Sequence, residues 1–183
     1  MYHSGNHLLD PNVILARAHL EVGMRIADFG CGRTGHIVFP AAAFLKPSGV
    51  VYAVDIMKDV LEEVRKRSAL EGLANIHTVW ADVERVGMTA IPPRTLDIVF
   101  LINLLIHSKA RGDMLREAAR LLKDKGRLAI VEWTEARPPL VLRDSTLVNF
   151  TDIVGWGEES GFVVQDDFTA GKYHRGLILY KHD

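Results

Sequence analysis

The chain has 183 residues, 48% of them apolar and 25% charged, which fits a folded domain and excludes collagen-like, low-complexity and largely disordered chains. Lysine plus arginine number 22 and aspartate plus glutamate 23, so the net charge of -1 lacks both the basic excess of a nucleic-acid binder and the acidic run of a tail for a basic partner. One cysteine, Cys31, excludes an internal disulfide and suits a reducing compartment.

Residues 1–10 read as an N-terminal arm without the basic stretch and apolar core of a signal peptide, so a cytoplasmic location is expected. The spacing predicts a helix from Pro11 to Leu20, followed by a short strand, RIADF, at Arg25 to Phe29. After a glycine-rich turn a short helix runs from Phe39 to Leu45, with Pro40 in its first turn. Val50 to Val54 reads as a strand ending at an acid, Asp55, and Lys58 to Glu71 as a helix with Val60, Leu61 and Val64 on one face and a Glu62–Lys66 pair. Strands are expected at Ile76 to Trp80, Leu96 to Ile102 and Arg127 to Trp133, with a helix from Ala110 to Leu122 before the last. The run Leu96 to Ile106 contains Asp97 and Asn103 and is too short to span a bilayer, so no membrane partner is expected. Asn149 is placed to cap a helix reaching about Ser160, with Asp152 as the acid of a capping box. Phe162 to Phe168 and Arg175 to Lys181 are final strands joined by TAGKYH, too short a link for a crossover, so they form an antiparallel hairpin over 162–181. Five strand–helix alternations point to an α/β fold with a mostly parallel sheet and helices on both faces. No linker or repeat divides the chain, and residues 1–183 read as one domain.

The motif richest in chemistry is Asp28-Phe-Gly30-Cys-Gly32-Arg33-Thr34-Gly35, a strand entering a glycine turn that opens toward a helix. Glycines let backbone approach a ligand, and free amides bind polar groups; nicotinamide, flavin and S-adenosylmethionine enzymes all use such turns. Asp55 at the end of the second strand is where a carboxylate accepts both hydroxyls of an adenosine ribose.

These residues, with the runs LLDPNVILARAHLEVGMRIADFGCG, KPSGVVYAVDI, LREAARLLKDKGRLAIVEW and ESGFVVQDDFTAGKYHRGLILYK, resemble class I S-adenosylmethionine-dependent methyltransferases, nearest the ubiquinone and menaquinone biosynthesis branch. The resemblance extends from about Leu8 to the C-terminus and implies a Rossmann-like seven-stranded sheet of order 3-2-1-4-5-7-6 with strand 7 antiparallel. It implies methyl transfer from S-adenosylmethionine to a small-molecule acceptor; a cofactor-binding protein without transferase activity, and an RNA or protein acceptor, are the alternatives. Position by position, it implies cofactor contacts from Asp28, Gly30, Cys31, Gly32, Thr34 and Gly35 in the turn, and from Asp55 and Ile56 after the second strand. Asp82 and Val83 follow the third strand, and Leu101 and Asn103 end the fourth. The chain departs from the family's G-x-G-x-G turn by one residue before Gly35 and has Asp124-Lys125-Gly126 where Pro-Gly-Gly is usual.

On the acceptor side, Asn103-Leu-Leu-Ile lacks the Asn/Asp-Pro-Pro-aromatic tetrapeptide of enzymes that methylate exocyclic amines, and a single cysteine argues against an arsenite acceptor. His107, Glu132, Tyr173 and His174 are the candidate catalytic residues, with Trp133 beside them; His107 reads equally as a solvated helix-start residue, and Tyr173 and His174 as hairpin packing. The expected strand directions bring these five to one rim, where they are expected to line a single pocket beside the methyl group. His3 and His7 lack the companions of a zinc site, and no metal is expected. A monomer or homodimer is expected. With no basic run, binding to generic DNA or RNA is expected to be absent, and submicromolar, salt-sensitive binding to random RNA at physiological salt in a filter assay would contradict this.

Overall fold

The computed structural model describes residues 8–135 and 146–182. Seven strands form one sheet in the order β3-β2-β1-β4-β5-β7-β6, as the resemblance implies. The strands are β1 (Arg25–Phe29), β2 (Val50–Asp55), β3 (Ile76–Trp80), β4 (Leu96–Ile102), β5 (Leu122–Trp133), β6 (Phe162–Gly171) and β7 (His174–Lys181). The helices are α1 (Pro11–Arg17), α2 (Val38–Leu45), α3 (Lys58–Leu70), α4 (Arg111–Leu121) and α5 (Phe150–Glu159). The first five strands are parallel, and β7 runs antiparallel to both β5 and β6.

The central strands are apolar on both faces because each face is covered. Ile26, Ile98, Phe100 and Ala129 pack with α1, α2 and α3 residues such as Ile14, Val38 and Val64. Ala27, Val99, Leu101 and Ile130 pack with Leu115, Ala118 and Ile153 of α4 and α5. Every parallel strand therefore ends on the same rim, and that rim carries the glycine turn, Asp55, Asn103 and Glu132. The pairing of Trp133 with His174 places the β6–β7 turn on the same rim.

Four local expectations are corrected. The first helix stops at Arg17, because His19 adopts a left-handed φ of 54° and turns the chain out of the helix. Strand β5 begins at Leu122, five residues early: Leu122 pairs with Leu96, and the register then shifts across Lys123 to Gly126, with Lys125 at a φ of 65°. The final hairpin turns over Lys172 and Tyr173 alone, so His174 is a buried strand residue rather than part of a loop. Asn149 does cap α5 through a bond from the Thr151 N–H, but the Asp152 carboxylate accepts from the Asn149 side-chain amide.

The β3–β4 connection carries no helix. It is held by Glu117, a fully buried carboxylate of α4 that accepts the N–H groups of Gly87 at 2.7 Å and Thr89 at 3.1 Å and pairs with Arg120. Burial alone would raise this carboxyl, but Arg120 and the two N–H donors outweigh it and bring its pKa to about 2.

Candidate functional site

The turn after β1 is folded back against β2: the N–H groups of Gly30 and Cys31 both donate to the Val54 carbonyl, at 2.8 and 3.1 Å. Gly30, Gly32 and Gly35 have φ of 66°, 63° and 53°, a region that costs any residue with a Cβ. A Cβ on Gly30 would sit 2.6 Å from the tip of the Leu104 side chain, which would have to shift, so it is the left-handed conformation that requires glycine there. Leu104, which follows β4, thus closes over the turn. From the other side α3 holds it: Arg33 pairs with Asp59, and Arg67 donates to the Thr34 carbonyl at 2.9 Å while lying over Phe39. The sequence reading passed over Leu104 and Arg67, whose partners lie 74 and 33 residues away.

Asp55 uses both carboxylate oxygens: Oδ2 accepts the Gly32 N–H at 3.1 Å and Oδ1 the Met57 N–H at 2.9 Å. A carboxylate offers about four lone-pair sites, so acceptor capacity remains. Asp28 is 3% exposed, and burial, then repulsion from Asp55, holds its pKa well above the usual carboxylate range. Two acids thus flank the turn, and they favour a ligand that brings a cation and hydroxyls while opposing a pyrophosphate. This pair of acceptors fits an adenosyl amino acid with an ammonium group and a ribose diol.

Around this centre, Ile56 is 58% exposed and its carbonyl accepts the Trp80 indole N–H at 2.8 Å, so Ile56 and Trp80 form an apolar shelf outside Asp55. Asp82 is half-buried and accepts the Glu84 N–H at 3.0 Å, closing a turn. Val83 packs in the core, and Leu101 is wholly enclosed and presents no side-chain surface. Asn103 is buried at a left-handed φ of 53°, and its N–H donates to the Val131 carbonyl. Thr34 is exposed on the outer edge of the turn. Cys31 is 2% exposed, and burial followed by repulsion from Asp28 and Asp55 raises its thiol far above the usual range. The thiolate is the reactive form, so Cys31 is expected to resist iodoacetamide in the folded protein and to react after denaturation; rapid native labelling measured by mass would contradict this.

The other half of the rim holds the acceptor-side candidates in two clusters. In the first, Glu132 is fully buried at the end of β5, and its Oε1 accepts the N–H groups of Leu105 at 2.6 Å and Ile106 at 3.4 Å. These residues belong to a 3-10 turn, Leu105–His107, that follows β4. Arg111 holds the turn from its far side, donating to the Leu105 carbonyl at 2.8 Å and to the Thr146 carbonyl. Glu132 Oε2 has no partner among the described residues. Burial raises the Glu132 pKa to about 8 against the opposing pull of the two N–H donors and Arg111. His107 stands at the end of this turn with much of its surface exposed, and partial burial of its ring lowers its pKa.

The second cluster is aromatic. The Trp133 ring lies 4.1 Å from His174 and is stacked on half-buried Tyr173 at 6.5 Å and 15°. Trp133 and His174 are each 2% exposed, and burial lowers the His174 pKa to about 4. A cavity of about 370 Å3 beside the hairpin is lined by His174 and by none of the other four candidates. The region Thr134 to Val148, which with the N-terminal segment and the final hairpin is expected to wall the acceptor side, lies outside the described residues over 136–145, as do His3 and His7. Among the described residues no group of three or more His, Cys, Asp or Glu side chains is arranged to hold a metal ion.

Comparison with known proteins agrees with this geometry. Residues 20–163 match the family described as methyltransferase domain. Aklanonic acid methyltransferase DauC of Streptomyces sp. strain C5 is 36% identical over 107 residues, 58% of this chain and 47% of that protein. The ubiquinone/menaquinone biosynthesis C-methyltransferase UbiE of Ectopseudomonas mendocina is 29% identical over 154 residues, 82% of this chain and 59% of that protein. The chain spans about half the length of the curated relatives it matches. Among solved structures, a SAM dependent methyltransferase from Aquifex aeolicus superposes with a TM-score of 0.79 at 22% identity, covering 97% of this chain and 92% of that one. A structure described as a type 11 methyltransferase from Sulfolobus solfataricus gives 0.70 at 27% identity, covering 96% and 94%.

Proposed function

This chain belongs to the methyltransferase-domain family, and on that premise we propose that it transfers the methyl group of S-adenosylmethionine to a small-molecule acceptor. The observation that carries the reading is the acid pair around the glycine turn: Asp28, buried with no cationic partner among the described residues, and Asp55 beside it, next to glycines that let a ligand approach the backbone. Relatives named for aklanonic acid and for ubiquinone and menaquinone biosynthesis support an acceptor of small-molecule size. Bound S-adenosylmethionine supplies a methyl group already activated by its sulfonium. Asp55 would take the ribose hydroxyls, Asp28 would compensate the ammonium, and Ile56 would face the adenine, with Asp82 at its amino group.

What remains for the chain is alignment, which is proximity catalysis. Leu104 borders the glycine turn and leads into the turn Leu105–His107, so the placement of that turn by Glu132 and Arg111 would set where an acceptor atom rests. A base is needed only for an acceptor that must lose a proton. His107 is the candidate for it, because it is accessible and its lowered pKa leaves it neutral at pH 7. Glu132, with a pKa of about 8, holds its proton there and does not serve as that base. We place the reaction in the cytoplasm; among the described residues no helix is long and apolar enough to cross a membrane.

Calorimetry tests the reading without an acceptor. S-adenosylhomocysteine is expected to bind and NAD not to, because the dinucleotide's pyrophosphate would face two acids. Tight NAD binding with no S-adenosylhomocysteine binding would overturn it.

A further inference from the structure

We propose that the cavity beside the β6–β7 turn is a subsite for a carboxylate carried by the methyl acceptor, with His174 and Lys172 as its specificity determinants. The proposal rests on the methyl-transfer reading for its role, but the site stands on its own geometry.

The cavity, about 370 Å3, is lined by Thr134, Asp167, Thr169, Lys172, His174 and Arg175, together with Phe168 and Gly171. His174 is 2% exposed, and neither Nδ1 nor Nε2 has a hydrogen-bond partner among the described residues. A buried ring with both nitrogens unsatisfied is costly and rare, and an acceptor that takes the ring's one N–H lowers the cost. The charges choose the ligand. Asp167 is consumed by Arg175, which donates Nε at 2.8 Å and Nη2 at 2.5 Å to its two oxygens. Lys172 lies over the Tyr173 ring at 5.3 Å and has no ion-pair partner among the described residues, so the lining keeps one uncompensated positive charge.

A carboxylate accepts from an imidazole N–H, from an ammonium and from threonine hydroxyls, and these are the donors the lining holds. An amine would meet Lys172 with no free carboxylate to offset it. The place of the cavity adds a length. Strands β4, β5 and β7 are neighbours, and adjacent strands lie about 4.8 Å apart, so the hairpin turn is roughly 10 Å from the end of β4. That is the span a carboxylate-bearing acceptor would bridge between the cavity and the end of β4.

Benzoate and its uncharged isostere benzamide are the probes, read on the His174 ring resonances by 15N-edited NMR and on tryptophan fluorescence, since Trp133 touches His174. Benzoate is expected to saturate and shift the His174 ring, with benzamide about ten-fold weaker. Lys172→Met, a surface change, should weaken benzoate about five-fold or more and leave benzamide and the thermal midpoint unchanged. His174→Gln, if it folds, should abolish the preference for the acid. Equal binding of the two probes, or a Lys172→Met variant that binds benzoate normally, overturns the subsite. S-adenosylhomocysteine is titrated separately. If it binds while benzoate does not, the subsite fails and methyl transfer stands. If benzoate binds and S-adenosylhomocysteine does not, the transfer reading fails and the carboxylate's role as part of a methyl acceptor fails with it.

Discussion

Glutamine in place of Glu132 is expected to flatten the loss of stability that the native protein suffers as pH rises from 6.5 to 8. The folded state raises the Glu132 pKa from 4.5 to about 8, so between these values it holds a proton that the unfolded chain releases. Stability from this group is therefore full at low pH and lost as pH climbs through the window, by no more than about 5 kcal/mol at 1.36 kcal/mol per unit. His174 acts with the opposite sign. Its folded pKa of about 4 lies below the ordinary 6.5, so its contribution is present above 6.5 and lost as pH falls toward 4. The two slopes oppose each other below 6.5, and the window above it isolates the carboxyl. Asp28 has a raised pKa like Glu132, but it is common to both proteins and cancels in the difference. Urea unfolding of the native protein and Glu132→Gln at a series of pH values is the measurement. Parallel curves would mean that Glu132 is ionised in the fold. Glu132→Ala removes the acceptor of the Leu105 and Ile106 N–H groups and opens a void, for a loss of about 3 kcal/mol at low pH, where the glutamine variant stays near native.

The contrast between Glu132 and Asp55 shows which features a linear sequence displays. Asp55 ends an apolar run and precedes a helix, and its partners Gly32 and Met57 are on adjoining turns, so strand pattern and motif locate it. Glu132 also ends an apolar run, but whether it faces ligand or core depends on the turn after β4, 27 residues earlier, which takes its carboxylate. Arg111 was invisible as a site residue because its targets are the carbonyl groups of Leu105, Thr146 and Leu147, and backbone carbonyls leave no mark in composition. His174 was read as loop because Gly171 and Lys172 look like turn residues. The β6 register slips between Thr169 and Gly171, and the hairpin closes over two residues instead of six. The strand order was implied by the resemblance, while the parallel sheet and the final hairpin followed from alternation plus one short connection. The β3–β4 link did not, because it has no helical period and is fixed by buried Glu117 from a distant helix.

Asp55→Ala is expected to weaken S-adenosylhomocysteine binding by roughly 1.5–3 kcal/mol, the range for hydrogen bonds to a charged group. The carboxylate has two tasks, and the variant removes both: it frees the Gly32 and Met57 N–H groups, and it removes the acceptor proposed for the ribose hydroxyls. The tasks separate by measuring the free protein. Loss of the backbone bonds lowers the thermal midpoint without ligand, whereas loss of the ribose contact lowers the ligand-induced rise in that midpoint. Asp55→Asn keeps one acceptor oxygen and replaces the other by an amide donor, so it should hold the Met57 N–H or the Gly32 N–H but not both. Removing the charge at 55 also relieves Asp28, whose raised pKa owes its second cause to Asp55. The Asp28 carboxyl should then ionise at lower pH, and the pH dependence of ligand binding should move down with it, because an ionised Asp28 is what a cationic ligand favours. Titrating S-adenosylhomocysteine at several pH values into native protein and Asp55→Asn reads that displacement. An Asp55→Ala variant with native affinity would put the ribose elsewhere. A weakened variant with an unmoved pH profile would uncouple Asp28 from the ligand and leave Asp55 as the acid that holds it.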